Sequence, residues 1–307
     1  MKIFNDINDI KNIEKTVIAL GNFDGIHKGH QELIKRTTEN AKIANLKSAV
    51  FTFANHPKNL HDQHKIKNII SFEEKIKVLE KLGVDYIFNL PFEENIKNLA
   101  PIDFIEQILV GKFKMKEGYC GFNYRFGINA TGTPEILMKK GIEQGFGLHL
   151  MEPFLIDGVL VSSTLIRELI EDGRMEECTK YMGRHYAVNG EVVVGNRLGK
   201  TIGFPTSNLI IDKSMVTPPN GVYITTCTYN EKTYNSITNV GEKPTVGNFE
   251  KNIETHIFDF DKELYGKEIR VEFLKKTRDE KKFESIDVLC EQIKKDCLEA
   301  KAFHRGK

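Results

Sequence analysis

Short apolar runs alternate with amphipathic stretches through the first 184 residues of the chain. Thr16–Leu20, Ser48–Phe53, Tyr86–Asn89, Glu117–Gly121 and Gly147–Pro153 have the length and composition of strands. Near His30–Ala44, Phe72–Leu82, Pro101–Val110 and Pro134–Gln144 the apolar residues recur at helical spacing instead. Pro101 and Pro134 stand where a first helical turn accepts proline. Strands that alternate with helices predict a parallel sheet, with ligands received at the carboxyl ends of its strands.

From Tyr186 onward the rhythm changes. Ala187–Val194, Gly221–Tyr229, Thr233–Val240, Thr255–Phe260 and Ile269–Leu274 read as strands divided by Gly, Pro, Asn and Asp turns. Ile286, Leu289, Ile293 and Cys297 mark an amphipathic helix that closes the chain. Strands at such close spacing predict a small antiparallel barrel. Helical segments at about Ser163–Glu171 and Met175–Gly183 bridge the halves, which gives two domains, 1–184 and 185–307.

Composition narrows the functional classes. The 307 residues hold 44 Lys and Arg against 43 Asp and Glu, a net charge of +1 that argues against a broad grip on nucleic acid. The five cysteines form no Cys-x-x-Cys pair, so neither a disulfide framework nor a zinc knuckle is expected, and a reducing compartment fits. The first residues lack an apolar targeting core, and no later run has the length of a membrane span. The chain is expected to be soluble and cytoplasmic. No apolar stripe marks a subunit interface, so the oligomeric state stays open.

The densest chemistry lies at residues 17–30, Val-Ile-Ala-Leu-Gly-Asn-Phe-Asp-Gly-Ile-His-Lys-Gly-His. An apolar strand runs into a turn studded with Gly21 and Gly25, and Gly29 leaves room for close approach where a helix begins. Free amides and the helix dipole favour an anion there, and His27 and His30 can donate to it. A zinc reading of the two histidines lacks a third ligand at suitable spacing. In the second half, Gly195-Asn-Arg-Leu-Gly199-Lys200-Thr201 misses the P-loop pattern, because Val194 stands where the first glycine is required.

Gly21-Asn22-Phe23-Asp24-Gly25 with His27-Lys-Gly29-His30 resembles the signature of the nucleotidylyltransferase superfamily in its flavin-adenylating branch. Three further segments resemble the same branch. Phe51-Thr-Phe-Ala-Asn-His56-Pro57 matches a strand-end motif, with Asn55 in place of the usual proline. Gly121-Phe-Asn123-Tyr-Arg-Phe126-Gly127 offers aromatics to flank an isoalloxazine ring. Val161-Ser-Ser163-Thr164-Leu-Ile-Arg167 opens a late helix that can bind a triphosphate.

In the second half, Gly190 through Asn208, with Gly195, Gly199 and Gly203 and ending Gly-Phe-Pro-Thr206-Ser-Asn208, resembles the riboflavin kinase signature, with Ser207 where alanine is usual. The Thr206 hydroxyl and Asn208 amide oxygen would be hard ligands for a magnesium ion that accompanies ATP. Glu254, in Glu-Thr-His256, matches the family's general base, while Glu272 has no matching motif.

Over essentially its whole length the chain resembles the bacterial bifunctional riboflavin kinases/FAD synthetases. The resemblance implies a Rossmann-like α/β nucleotidylyltransferase domain with a parallel sheet, then a small antiparallel β-barrel with a terminal helix. It implies riboflavin, FMN and ATP as substrates and a two-step route to FAD. A nucleotidylyltransferase for another phosphate and a non-catalytic flavin-binding regulator are the competing readings.

Overall fold

The computed structural model describes residues 1–54, 66–195, 198–245 and 248–306. They form two compact units, Met1–Ser163 and Thr164–Lys307.

Unit 1 carries strands β1 (Lys2–Phe4), β2 (Thr16–Leu20), β3 (Lys47–Phe53), β4 (Tyr86–Leu90), β5 (Met115–Gly121) and β6 (Gly147–Met151). They make one six-stranded sheet in the order β1-β4-β3-β2-β5-β6, in which every pair is parallel. Val17, Ile18, Ala19 and Leu20 of β2 are all buried, as in a strand covered on both faces. Helices α1 (Lys28–Ile43), α2 (Phe72–Lys81), α3 (Glu94–Lys97), α4 (Pro101–Asp103) and α5 (Pro134–Gln144) join the strands, and a hairpin of β7 (Leu155–Ile156) and β8 (Val159–Leu160) follows. From β2 the chain moves to β3 and β4 on one side and then crosses to β5 on the other. This reversal of strand order opens a crevice at the carboxyl end of β2, the ligand position in open α/β sheets.

The expected helix Pro101–Val110 is helical but not uniformly α. After one turn of α4, Phe104–Lys112 winds as a π-helix. Its buried residues are Phe104, Ile105, Ile108 and Leu109, and Phe113 just beyond it is buried as well. Phe113 stacks on Phe88 with ring centroids 4.0 Å apart, so the wide turn completes the core.

Unit 2 begins with α6, Ser163–Glu171 by its helical bounds, and α7 (Met175–Met182), which packs along the barrel strands. Strand rhythm divides the chain at 184, whereas compactness divides it before these two helices. The barrel consists of β9 (Tyr186–Val193), β10 (Ser207–Ile210), β11 (Gly221–Tyr229), β12 (Lys232–Thr245), β13 (Asn248–Ile257) and β14 (Glu268–Arg278). It closes in the order β10-β13-β12-β11-β14-β9, with antiparallel pairs throughout. A one-turn helix α8 (Leu198–Thr201) and the terminal α9 (Ile286–Arg305) complete the unit. Ser285 caps α9 by accepting the Val288 amide, and Cys297 and Ala300 of that helix pack on Val222, Ile224 and Ile237 of the barrel wall.

The barrel interior is not wholly apolar. The Thr225 hydroxyl lies 2.7 Å from that of Ser236 and 2.8 Å from that of Thr238, which lies 2.9 Å from that of Thr255. All four side chains are fully buried, and their hydroxyls satisfy one another across three strands. Four cysteines are also buried, and burial pushes the thiols of Cys120, Cys178 and Cys227 up to about 12 and that of Cys297 up to about 11. Cys290 is half-buried.

Candidate functional site

Residues 21–27 turn the chain from β2 into α1 at the crevice of the unit 1 sheet. Three residues of the turn have left-handed backbone, Phe23 (φ 49°), Gly25 (φ 79°) and Ile26 (φ 36°). Gly25 adopts this without cost, but buried Phe23 and β-branched Ile26 hold strain of about 1–3 kcal/mol each. Such a conformation persists only where its surroundings impose it. Asp24 is buried, its carboxylate accepts the Ile69 amide at 3.0 Å, and its carbonyl accepts the Ser163 hydroxyl at 2.9 Å. The Asn22 carbonyl accepts the Thr52 hydroxyl at 2.8 Å and the Lys75 ammonium at 3.0 Å.

The two histidines lie side by side. His27 Nδ1 accepts the His30 amide at 3.3 Å and caps α1, so a neutral His27 ring carries its proton on Nε2, where it can donate to an anion. The rings of His27 and His30 stack with centroids 3.7 Å apart, and Phe23 meets His30 edge-on at 5.2 Å. The space beside Gly29 is filled by the protein itself. A side chain there would meet Phe154 at 3.1 Å and the His27 ring at 3.3 Å, so Gly29 permits packing of the cap rather than an open approach to the backbone. Gly21 likewise abuts the ring of Phe23.

Three sequence motifs emerge from the carboxyl ends of β2, β3 and β5, adjacent strands of the sheet. Asn55 and His56 of the β3 motif lie outside the described residues. In the β5 segment Asn123 is exposed, and Tyr124 and Phe126 line a cavity of about 480 Å³ with Phe53, Phe92, Phe104 and Asn98. The Tyr124 and Phe126 rings stack with centroids 5.6 Å apart. Such an aromatic cavity suits a flat heterocycle. Ser163 reaches the turn as described, while Thr164 and Arg167 lie in the first two turns of α6, in unit 2.

Unit 2 builds a second constellation on the barrel wall. Ile253, Thr255 and Ile257 point inward, so the period of the strand puts Asn252, Glu254 and His256 on the outer face. Asn208 of β10 and Asn239 of β12 stand directly opposite Glu254 on its two neighbouring strands. Asn252 Nδ2 donates to Glu254 Oε1 at 2.9 Å and to Asn208 Oδ1 at 3.3 Å, which fixes both oxygens. Gly195 makes room for this arrangement, because the Asn208 amide occupies the place of its missing side chain. His256 donates through Nδ1 to the Pro205 carbonyl at 2.8 Å and holds the chain just before Thr206.

Two cavities flank these residues. One, about 260 Å³, is lined by Glu254, Asn239, His256, Gly199, Thr206 and residues of α9. The other, about 270 Å³, is lined by Gly195, Thr206, Asn208, Thr255, Phe260 and Tyr265. Thr206 borders both. Gly203, at φ 85°, has open space beside it. The oxygen donors Thr206 Oγ1 and Asn208 Oδ1 fit a hard divalent cation.

Sequence reasoning missed Lys75, Thr52 and Asn252. Lys75 and Leu79 lie four apart on the buried side of α2, so the sequence shows a lysine in an apolar stripe but not its partners.

The family model described as FAD synthetase matches residues 9–165, and that described as riboflavin kinase matches residues 182–304. The bifunctional riboflavin kinase/FMN adenylyltransferase of Bacillus subtilis (strain 168) is 36% identical over 293 residues, 93% of this chain and 92% of that protein. The protein of the same description from Escherichia coli (strain K12) is 34% identical over 307 residues, 99% of this chain and 98% of that protein. A crystal structure from Streptococcus pneumoniae, described as a macrolide-efflux protein, is 33% identical, covers 96% of each chain and superposes with a TM-score of 0.88. Among the described residues here, no helix is long and apolar enough to cross a membrane.

Proposed function

The chain belongs to the family of bifunctional riboflavin kinase/FMN adenylyltransferases, and on that premise we propose which residues carry its two reactions. The protein phosphorylates riboflavin with ATP to give FMN and ADP, then joins FMN to the adenylyl group of a second ATP to give FAD and pyrophosphate. Residues 1–184 serve the adenylyl transfer and residues 185–307 the kinase.

The kinase assignment rests on one observation, that Thr206 borders both cavities of the barrel while Glu254 lines one and Asn208 the other. Riboflavin presents its primary hydroxyl in the Glu254 cavity. ATP lies along Gly195, Gly199 and Gly203 with its phosphates towards Asn208. Glu254, oriented by Asn252, accepts the hydroxyl proton as the oxygen attacks the γ-phosphorus and the bond to ADP breaks. Thr206 and Asn208 would hold a magnesium ion that arrives with ATP. Bound there, it neutralises the charge on the transferred phosphoryl group.

For adenylyl transfer, FMN places its ring against Tyr124 and Phe126, with Asn123 at the rim, and His56 is proposed from its motif as a further substrate-binding residue. Its phosphate attacks the α-phosphorus of ATP and pyrophosphate leaves. His27, His30 and the amides of Gly21 to Gly25 stabilise the charge on the phosphoryl oxygens. Ser163, Thr164 and Arg167 bind the triphosphate. No carboxylate is needed as base, because the attacking phosphate is already ionised.

Riboflavin or FMN is supplied with ATP and magnesium, and the flavins are resolved by chromatography. Glu254→Gln is expected to slow FMN formation about 10²–10⁴-fold and to leave FMN-to-FAD conversion intact. His30→Ala is expected to do the reverse, with a loss of about 10²–10³-fold in FAD formation. Loss of both reactions in Glu254→Gln, even with FMN supplied, would overturn the partition.

A further inference from the structure

We infer that Lys75 is a positioning residue for adenylyl transfer, its ammonium clamping the Asn22 carbonyl and so holding the strained turn that delivers His27 and His30. The inference rests on the reading of the N-terminal half as the adenylyltransferase.

The clamp is a closed triangle. Lys75 Nζ donates to the Asn22 carbonyl at 3.0 Å and to the Thr52 hydroxyl at 3.3 Å, and that hydroxyl donates to the same carbonyl at 2.8 Å. Because the peptide unit is planar and trans, fixing the Asn22 carbonyl inward turns the Phe23 amide N–H the opposite way. One side-chain cluster thus sets the orientation of an amide in the anion-binding turn. The backbone downstream at Phe23, Gly25 and Ile26 is left-handed, a geometry that relaxes when its anchors are removed.

The chemistry of the position also singles it out. Lys75 is 8% exposed and occupies the core-facing stripe of α2, where a methionine or leucine would fill the space without desolvating a charge. Burial drives its pKa down from 10.5 to about 8, and the nearby Asp24 carboxylate opposes that shift. A cation kept at such a place adds positive potential beneath the turn that receives phosphates, besides its hydrogen bonds. An inert core residue has no need of that charge.

Lys75→Met keeps length and apolar packing but removes the donors and the charge. Thr52→Val removes the third member of the triangle without changing its volume much. Full-length wild type and both variants are compared for kcat and KM in FMN-to-FAD conversion, for riboflavin-to-FMN conversion in the same preparations, and for thermal melting. Lys75→Met should lower kcat for FAD formation about 10–100-fold, as loss of a charge-assisted hydrogen bond allows, with KM for FMN and ATP changed less than about threefold. Thr52→Val should lower the same kcat about three- to tenfold. Kinase activity should stay at the wild-type level in both.

FAD formation within about threefold of wild type in a folded Lys75→Met chain would overturn the inference. So would a loss in either variant that appears wholly in KM or follows a lowered melting temperature. If Lys75→Met does not fold, Thr52→Val decides alone, and a wild-type kcat there overturns the clamp. A wild-type chain that makes FMN but converts none of it to FAD overturns instead the reading of the N-terminal half, and the inference with it.

Discussion

At the scale of single residues, the two sites use buried polarity in different ways. Asn252 shares its amide between Glu254 and Asn208, so a neutral side chain aligns the proposed base and the proposed metal ligand without adding charge. Lys75 brings charge instead, and its charge is within reach of ordinary pH. With a pKa of about 8, the ammonium is lost as pH rises through that value, and FMN-to-FAD turnover should decline there on an alkaline limb that Lys75→Met lacks. The stability of unit 1 should move the other way. Above about 8 the folded chain has released a proton that the unfolded chain keeps until about 10.5, so this group adds stability with rising pH, roughly 3 kcal/mol when the interval is complete. Cys120, whose thiol is pushed up from 9.0 to about 12, works in the opposite sense above pH 9, which leaves pH 8–9 as the informative window. Rates and melting temperatures measured side by side across that window test the signs. The histidines, Thr206, Asn208 and Glu254 were open to proposal from the sequence because each sits in a dense motif. Lys75 and Asn252 were not, because their roles arise from contacts across separate elements.

At the scale of elements, the long strands and helices could be read from apolar period alone. Thr16–Leu20, Gly221–Tyr229 and Pro134–Gln144 have the bounds that their patterns predict. What escaped was short or shaped by its neighbours. β1 has three residues, and β10 has four and begins inside the Gly-Phe-Pro-Thr-Ser-Asn motif, where glycine and proline suggest a loop. β12 runs on through Gly241 and Pro244, which read as breakers, because pairing with β13 sustains it. The π-turn of Phe104–Lys112 is invisible to a search for α-helical period. The hydroxyl ladder of Thr225, Ser236, Thr238 and Thr255 has the same origin, since its members come from three strands. Thr238→Val preserves shape and leaves Thr225 paired with Ser236, but it takes from the buried Thr255 hydroxyl its partner at 2.9 Å. It should cost about 1–3 kcal/mol of barrel stability, read from a denaturant titration, and leave FMN-to-FAD turnover unchanged.

At the scale of the whole molecule, the chain holds two compact units, and the question is whether they open together or apart. The buried cysteines turn this into a measurement. Their thiols are withheld from reagents both by enclosure and by the scarcity of thiolate, whereas Cys290 on α9 is half-buried. Brief exposure of the native protein to a mass-tagging alkylator should therefore mark Cys290 ahead of the other four. As denaturant rises, modification of Cys120 reports the opening of unit 1, and modification of Cys178 and Cys227 that of unit 2, each read by peptide mass. Equal labelling of all five in the native state would contradict the burial described. The sulfur atoms thus form a built-in set of clocks, one or more in each half of the protein, that record which half lets go first.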